Sequence, residues 1–549
     1  MKKSITIFVL LLILTQVIGQ TSVTFQVNLG DLTKQRLFSD NLGDELCIRG
    51  SFNSWKGNDL RLKKSPNSDL YIGTFNLGNI GDTISYKFVI IKNQKFSFWE
   101  SNPNPTNTDN GNRQLIIDKD SIVLPPAHFY YDEYFKYPVI FSEAKLKEDY
   151  LQFRNILETT HPALYDYTSK EVLDSIFDSN YDQITSDLEF SKFLILMTEV
   201  ISKVGCGHSS LWVPGKFWNV APEKLFPLKL VISNNKTFVK GDFDNSNEIP
   251  VGSEIISIND QPVHLIIKRL SSLTSADGFN SSYRQTKVAQ NFSVKHAFAY
   301  GFPENFTVEF ITPINKQKLE KSISPVSKET IDKSKKKHAE LSFKQIEGVN
   351  AGLLTINTFG YYGEVEMFHN FIDSVFHEIH KQDIKNLILD LRGNGGGDPF
   401  CASYLWSYLQ PEPLPYFEDH YGKYDTLANP IPKPKYNFKG ELFTLIDGNG
   451  FSTTGHFCGL LKYHKVGTFI GSELGSTYTC TGNATYPRLK NTGIMVGTAR
   501  VRRYTAAVKN MNPLKGVLPD YFIELTQNDI IAGRDAVMDF TLSLIKSKF

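Results

Sequence analysis

The chain has 549 residues, too many for one ordinary hydrophobic core, so two to four domains are expected. Its 41% hydrophobic and 21% charged residues are the proportions of folded globular protein and exclude a disordered or fibrous chain. A formal net charge of +1 gives no electrostatic basis for a nucleic-acid or anionic-membrane partner.

Residues 1–19 read as an export signal. Lys2 and Lys3 form its positive end, and Ile5 to Leu14 is an apolar run broken only by Thr6. Val17-Ile18-Gly19 offers small residues for cleavage before Gln20. The run is short for a membrane span, and no Cys follows it to carry a lipid. The expectation is an exported chain: periplasmic, cell-surface or extracellular. The five cysteines, Cys47, Cys206, Cys401, Cys458 and Cys480, are an odd number, so at least one thiol stays unpaired. They show no zinc-ligand spacing, and no metal or cofactor is expected.

From 20 to 124 the pattern is β. Val23-Thr24-Phe25-Gln26-Val27, Leu46-Cys47-Ile48-Arg49-Gly50 and Ser85-Tyr86-Lys87-Phe88-Val89-Ile90 are strand candidates separated by Asn, Asp and Gly clusters. Short strands at close spacing predict a β-sandwich. Gly43-Asp44-Glu45, Gly50-Ser51-Phe52-Asn53-Ser54-Trp55 and Phe98-Trp99-Glu100-Ser101-Asn102-Pro103-Asn104 resemble starch-binding, immunoglobulin-like carbohydrate modules. That resemblance implies a glycan ligand with Trp55 and Trp99 stacking on sugar faces. The simpler role for both rings is packing within the sandwich or between domains.

Residues 125–143, rich in Pro and Tyr, read as a linker. Helices are predicted from 144 to 225. Leu146, Tyr150, Phe153, Ile156 and Leu157 recur at helical spacing up to His161-Pro162, and a second helix covers Phe190 to Val204. It runs into the turn Gly205-Cys206-Gly207-His208-Ser209-Ser210. Residues 226–313 read as an insert. Its stretch Pro250-Val251-Gly252-Ser253-Glu254-Ile255-Ile256-Ser257-Ile258-Asn259-Asp260-Gln261-Pro262-Val263 predicts strand, turn and second short strand. It resembles PDZ domains, which take peptide C-termini as an added strand. Here Ser253 replaces the common Asp and no clear carboxylate-binding Gly loop is present, so a purely structural insert fits equally well.

From 314 to 549 the pattern becomes α/β. Ala351 to Ile356, Leu387 to Leu391 and Phe443 to Asp447 are buried strands. Val365, Phe368, Ile372, Val375 and Ile379 mark an amphipathic helix. Alternating strands and helices predict a mainly parallel sheet with covered faces.

Two segments directly after strands carry the chemistry. Asp390-Leu391-Arg392-Gly393-Asn394-Gly395-Gly396-Gly397-Asp398 can turn backbone N–H groups toward a ligand. A phosphate loop would need a following Gly-Lys-Ser/Thr, which is missing. Asp447-Gly448-Asn449-Gly450-Phe451-Ser452-Thr453-Thr454-Gly455-His456 puts a serine at a strand-to-helix turn, with a helix predicted from Thr453 to Tyr463. By spacing alone Ser452 would be read as a helix cap.

Together the two segments resemble the S41 peptidases, the C-terminal processing and tricorn-core proteases, over about Ala144 to Ile545. Val466 to Gly475 and Gly516-Val517-Leu518-Pro519-Asp520 extend the match. The resemblance implies a ClpP/crotonase-like core, a polypeptide substrate, Ser452 as nucleophile, and an oxyanion held by N–H groups of Thr453, Gly395 and Gly396. Such donors contribute on the order of 3 kcal/mol each. Processing peptidases use a lysine as base, but the corresponding place falls near Ser476 or Thr477; Lys462 and Lys465 come too early. Tricorn-like members use a histidine in a Gly-His-Ser/Thr turn, which Gly207-His208-Ser209 matches, so His208 is the expected base, with Ser209 or Ser210 helping to orient it. Glu473 is the candidate acid behind His208, and His456 is expected to pack under the turn. The competing reading is a catalytically inactive peptide- or glycan-binding protein on this scaffold. The sequence specifies no oligomer.

Overall fold

The computed structural model describes residues 20–34, 38–92, 96–100, 112–129, 141–186, 188–213, 224–244, 246–334 and 341–547. Residues 1–19, read as an export signal, and Asn102-Pro103-Asn104 lie outside them. The chain divides into two compact units, Met1–Tyr134 and Phe135–Phe549.

The first unit is built of strands. They are hydrogen-bonded in the order Phe96–Trp99, Thr83–Lys92, Glu45–Gly50, Arg61–Lys64, Leu70–Asn76, Ser22–Asn28 and Ser121–Val123. Arg113–Ile116 flanks Thr83–Lys92, and Ala127–His128 flanks Ser22–Asn28. This last pairing carries the unit into the stretch read as a linker. Alternation sets the core: Val23, Phe25 and Val27 turn inward to meet Leu46, Ile48, Phe88 and Ile90. Glu100 is an acid almost wholly enclosed in this unit. It accepts from the Phe88 N–H at 2.7 Å and pairs with Arg113 at 2.9 Å, which supplies the partner a buried carboxylate needs.

The second unit begins with helices Glu143–Thr160, Lys170–Asp182 and Phe190–Val204, packed through Tyr150, Phe153, Phe177, Phe193 and Met197. The first ends at His161, before Pro162, and the third spans the residues its periodicity predicts. An antiparallel sheet follows in the order Leu228–Ser233, Lys236–Asp242, Glu254–Ile258, Phe306–Ile311 and Lys318–Ile323. Its last strand runs past Pro313. The second short strand read through Val263 stops at Pro262, and Val263 opens a helix to Ser272. Two more helices, Ser281–Gln290 and Phe292–Tyr300, complete this region.

The α/β core holds the sheet Leu341–Ile346, Ala351–Ile356, Asn386–Asp390, Glu441–Ile446, Thr468–Gly471 and Tyr521–Phe522 in spatial order. All pairs after the first are parallel, in register Leu353↔Ile388↔Phe443↔Thr468. Side-chain alternation divides these strands between two faces. Leu354, Ile356, Leu387, Leu389 and Ile446 pack with helices Val365–Lys381, Pro399–Leu409 and Thr453–Tyr463. Leu353, Ile388, Phe443, Leu445 and Ile470 pack against helix Ala536–Ser547. Burial on both faces is why these strands read as unbroken apolar runs. Two short ribbons close over the strand ends: Ser210–Trp212 with Met495–Gly497, and Thr479–Gly482 with Val501–Thr505. The first ribbon ties the His208 turn to the C-terminal part of the core. All five cysteines are buried free thiols.

Candidate active site

The two glycine-rich loops leave the carboxyl ends of adjacent parallel strands, where backbone groups point out of the sheet. Asp447 couples them. Its Oδ1 accepts from the N–H groups of Gly393 and Asn449, each at 3.0 Å. Asn394 couples them again from inside. Its Oδ1 accepts from Gly396 N–H at 2.9 Å and Thr454 Oγ1 at 2.8 Å, and its Nδ2 donates to Ile356 O at 2.9 Å. Its own carbonyl accepts from Phe451 N–H at 3.1 Å. Thr453 Oγ1 donates to Gly397 O at 2.6 Å.

These ties hold Ser452 at φ 56°, ψ −121°, a conformation non-glycine residues rarely adopt. The serine is at the N-cap position of helix Thr453–Tyr463, yet its side chain makes no capping bond. Its Oγ stands 3.1 Å from His208 Nε2 instead. The cap reading therefore does not hold for this side chain. Gly396 sits against the same turn. A Cβ there, at φ +96°, would lie 2.6 Å from Phe451 O and 3.0 Å from Thr453 N.

His208 follows helix Phe190–Val204 on a tight turn. Gly207 has room for no side chain: a Cβ would come within 2.6 Å of the Phe451 ring. The His208 ring packs 4.7 Å from that of Phe451. Burial pushes the imidazole below the ordinary histidine range, and the charge of Asp277 pulls it part of the way back. His208 Nδ1 is buried with no hydrogen-bond partner among the described residues.

Asp277 is the acid beside His208, and it was not foreseen from the sequence. It is buried, its Oδ1 accepting from Gly207 N–H at 2.8 Å and its Oδ2 from Ser476 Oγ at 3.1 Å. Burial raises its pKa, opposed by His208 and by these two donors. No motif marks it; Thr274-Ser275-Ala276-Asp277-Gly278 reads as an ordinary turn.

The remaining expected residues are distributed as follows. Glu473 is not brought to His208; its Oε1 accepts from Gly516 N–H at 2.9 Å. Ser209 and Ser210 do not orient His208 either. Ala163 N–H donates to His161 Nδ1, so His161 Nε2 carries the proton and donates to Ser209 Oγ at 3.1 Å. Ser210 Oγ accepts from Trp212 Nε1 at 3.0 Å. The Gly396 N–H is engaged by Asn394, whereas the N–H groups of Gly395 and Thr453 have no acceptor among the described residues. His456 lies buried under the helix, 3.0 Å from Tyr504 O, with its pKa pushed down to about 3 by burial. Lys462 pairs with Asp520 at 2.5 Å, and Thr477 Oγ1 donates to Asn512 O. In the first unit, the rings of Trp55 and Trp99 stand 6.2 Å apart at 42°, with the Arg49 guanidinium 5.0 Å over Trp99. Trp99 is 37% exposed.

Residues 350–523 match peptidase family S41. None of the curated proteins matches the chain. Among solved structures, mature CPAF complexed with lactacystin is 14% identical, with a TM-score of 0.53 over 74% of this chain and 98% of that one. Mature CPAF alone gives the same identity and score, with 97% of that chain covered. The photosystem II D1 C-terminal processing protease is 13% identical, with a TM-score of 0.38 over 72% of this chain and 99% of that one. The likeness to CPAF is one of fold.

Gly396→Ala is expected to lower stability by about 1–3 kcal/mol, because the added methyl meets backbone atoms at a left-handed φ. A urea titration followed by far-UV circular dichroism checks this; an unchanged midpoint would contradict the packing described.

Proposed function

We propose that the chain, a serine peptidase that matches peptidase family S41 over residues 350–523, is an exported endopeptidase acting through Ser452 and His208. The observation that carries the reading is the 3.1 Å approach of His208 Nε2 to Ser452 Oγ, between residues 244 positions apart. A serine on a strained elbow, without a capping bond and facing an imidazole, has the geometry of an activated nucleophile.

In the proposed reaction Ser452 Oγ–H donates to His208 Nε2, which places the imidazole proton on Nδ1. Oγ attacks the scissile carbonyl carbon as its proton passes to Nε2. The tetrahedral oxyanion faces the N–H groups of Thr453 and Gly395, at the positive end of helix Thr453–Tyr463. The C–N bond then breaks, and Nε2 gives its proton to the departing amine. A water attacks the acyl-serine by the same route and releases the acid. A base kept below its ordinary pKa is neutral, and so competent, at neutral pH. The imidazolium formed at each step is stabilised by Asp277, which takes the part the sequence reading gave to Glu473. Asp277 keeps lone pairs free after its bonds from Gly207 and Ser476.

The domain reading that goes with this is a β-sandwich over 20–124, a PDZ-like insert near 226–313 with a structural role, and a catalytic core beyond it. The tilted Trp55 and Trp99 rings support a glycan-binding role for the first unit, tethering the enzyme to a polysaccharide or cell surface.

A fluorophosphonate is expected to label Ser452 in the wild type and to leave Ser452→Ala unlabelled. Failure of the intact protein to label, together with wild-type behaviour of Ser452→Ala on unfolded polypeptide, would favour the inactive-scaffold reading. The labelling rate should rise with pH through a midpoint below the usual histidine value and then level off. Asp277→Asn removes the charge that raises the His208 pKa, so the midpoint should move further acidward. The plateau rate should fall by about 10²–10⁴-fold. An unchanged profile would remove Asp277 from the mechanism. Trp55→Ala and Trp99→Ala should each abolish retention on insoluble starch without changing the labelling rate; a wild-type protein that starch does not retain would end the glycan reading.

A further inference from the structure

Beside the His208 turn lies a cavity of about 260 Å³. That is smaller than the roughly 300–1,000 Å³ of small-molecule sites and suits a single side chain. Ser209 and Ser210, directly after His208, form part of its wall, as does Ser275, two residues before Asp277. Elsewhere the wall is uncharged, with the hydroxyl-bearing Thr198 and Thr274 beside Leu194, Leu211 and Phe298. The exception is Lys295, carried by helix Phe292–Tyr300.

Among the described residues Lys295 has no counter-ion. Its Nζ donates to Thr274 Oγ1 at 2.9 Å, and no other acceptor reaches it among the described residues. An ammonium carries three donors, so two are left. Burial, with the charge of Lys287 added, pushes its pKa down to about 8, which still leaves it protonated at neutral pH. The preceding helix adds two more cations without an ion pair among the described residues. Arg284 has a buried Nε with no partner, and Lys287 Nζ donates to Asn449 Oδ1 at 3.0 Å. Lys295 thus brings a positive charge into the cavity wall with no carboxylate paired to it among the described residues. An ion held in apolar surroundings is stable only when paired, so the missing partner is an anion.

We propose that this cavity is a specificity pocket for a carboxylate of the polypeptide substrate, with the apolar walls taking its methylene groups and Lys295 taking the charge. The proposal rests on the peptidase reading above. The carboxylate has two sources in a peptide, a glutamate side chain or the C-terminal carboxyl, and both present the same chemistry to Lys295.

The test is a set of peptides in which glutamate is exchanged for glutamine at each position around the cleaved bond, each made with a free and an amidated C-terminus. One member of one such pair is expected to be cleaved with a kcat/KM about 10–100-fold above its neutral counterpart. The position effect identifies the side chain as the source, and the acid-over-amide effect identifies the terminus. Lys295→Met keeps the volume and suits the apolar part of the wall, and should abolish the discrimination while the variant still cleaves the neutral peptides. Lys295→Glu should reverse the side-chain preference toward lysine or arginine at the same position. If the wild type cleaves acidic and neutral peptides at equal rates, or if Lys295→Met still discriminates, the pocket assignment is wrong. The wild-type comparison alone decides should a variant fail to fold. Neither cleavage nor labelling by the wild type would overturn the peptidase reading, and the pocket with it.

Discussion

The site depends on one buried amide. Asn394 is fully enclosed, and its side chain and carbonyl bond four groups from three segments: Gly396 N–H, Thr454 Oγ1, Ile356 O and Phe451 N–H. Inside a low-dielectric interior each of these bonds is strong and costly to break. Together they fix the separation of the two loops, and so the position of Ser452 relative to the backbone donors across from it. The strained φ of Ser452 persists because these bonds, with Asp447 and Thr453, over-determine the turn. An aspartate at 394 would keep the two acceptor bonds but lose the donor to Ile356 O. The amide is needed because the surrounding groups demand both signs of hydrogen bond.

What could be read from the sequence follows from how local each constraint is. The glycine block and the Ser452 turn are contiguous motifs, so their composition marks them. The strands of the parallel core are marked by apolar runs, and helix Phe190–Val204 by nine buried positions in a strong periodic pattern. Helix Ser281–Gln290 buries only Val288, so it leaves no periodic trace. Helix Lys170–Asp182 buries three residues, one of them Asn180, and is similarly faint.

Asp277 fails to show for a related reason. Its partners Gly207 and Ser476 lie 70 and 199 positions away, and a single acid in a turn has no signature that records such contacts. Glu473 drew attention because it stands in a recognisable strand-end segment. That segment does have a function, but a local one: its carboxylate holds the Gly516 N–H and so joins the closing strand region to the loop beside Ser452. The conflict at Gly396 is of the same kind. The motif reveals a row of glycine N–H groups, but only the fold reveals that Asn394 engages one of them, while those of Gly395 and Thr453 have no acceptor among the described residues.

Ser476 stands, with Thr477, near the place where the resemblance to processing peptidases would put a lysine, and its hydroxyl donates to Asp277 at 3.1 Å. A lysine there would bring a cation to the Asp277 carboxylate. The two would pair, and the acid's field at the adjacent imidazole would be neutralised. A hydroxyl donates one hydrogen bond and brings no net charge. Asp277 is therefore oriented by Ser476 and Gly207 while its charge remains directed at the imidazole. Burial works against both ionised groups separately, lowering the His208 pKa and raising that of Asp277. Each group in turn favours the charge of the other, the acid raising the pKa of the imidazole and the imidazole lowering that of the acid. In this chain the serine at 476, the glycine at 207 and the acid at 277 form one mutually dependent set with His208, and a change at any one of them alters the proton affinity of the other partners.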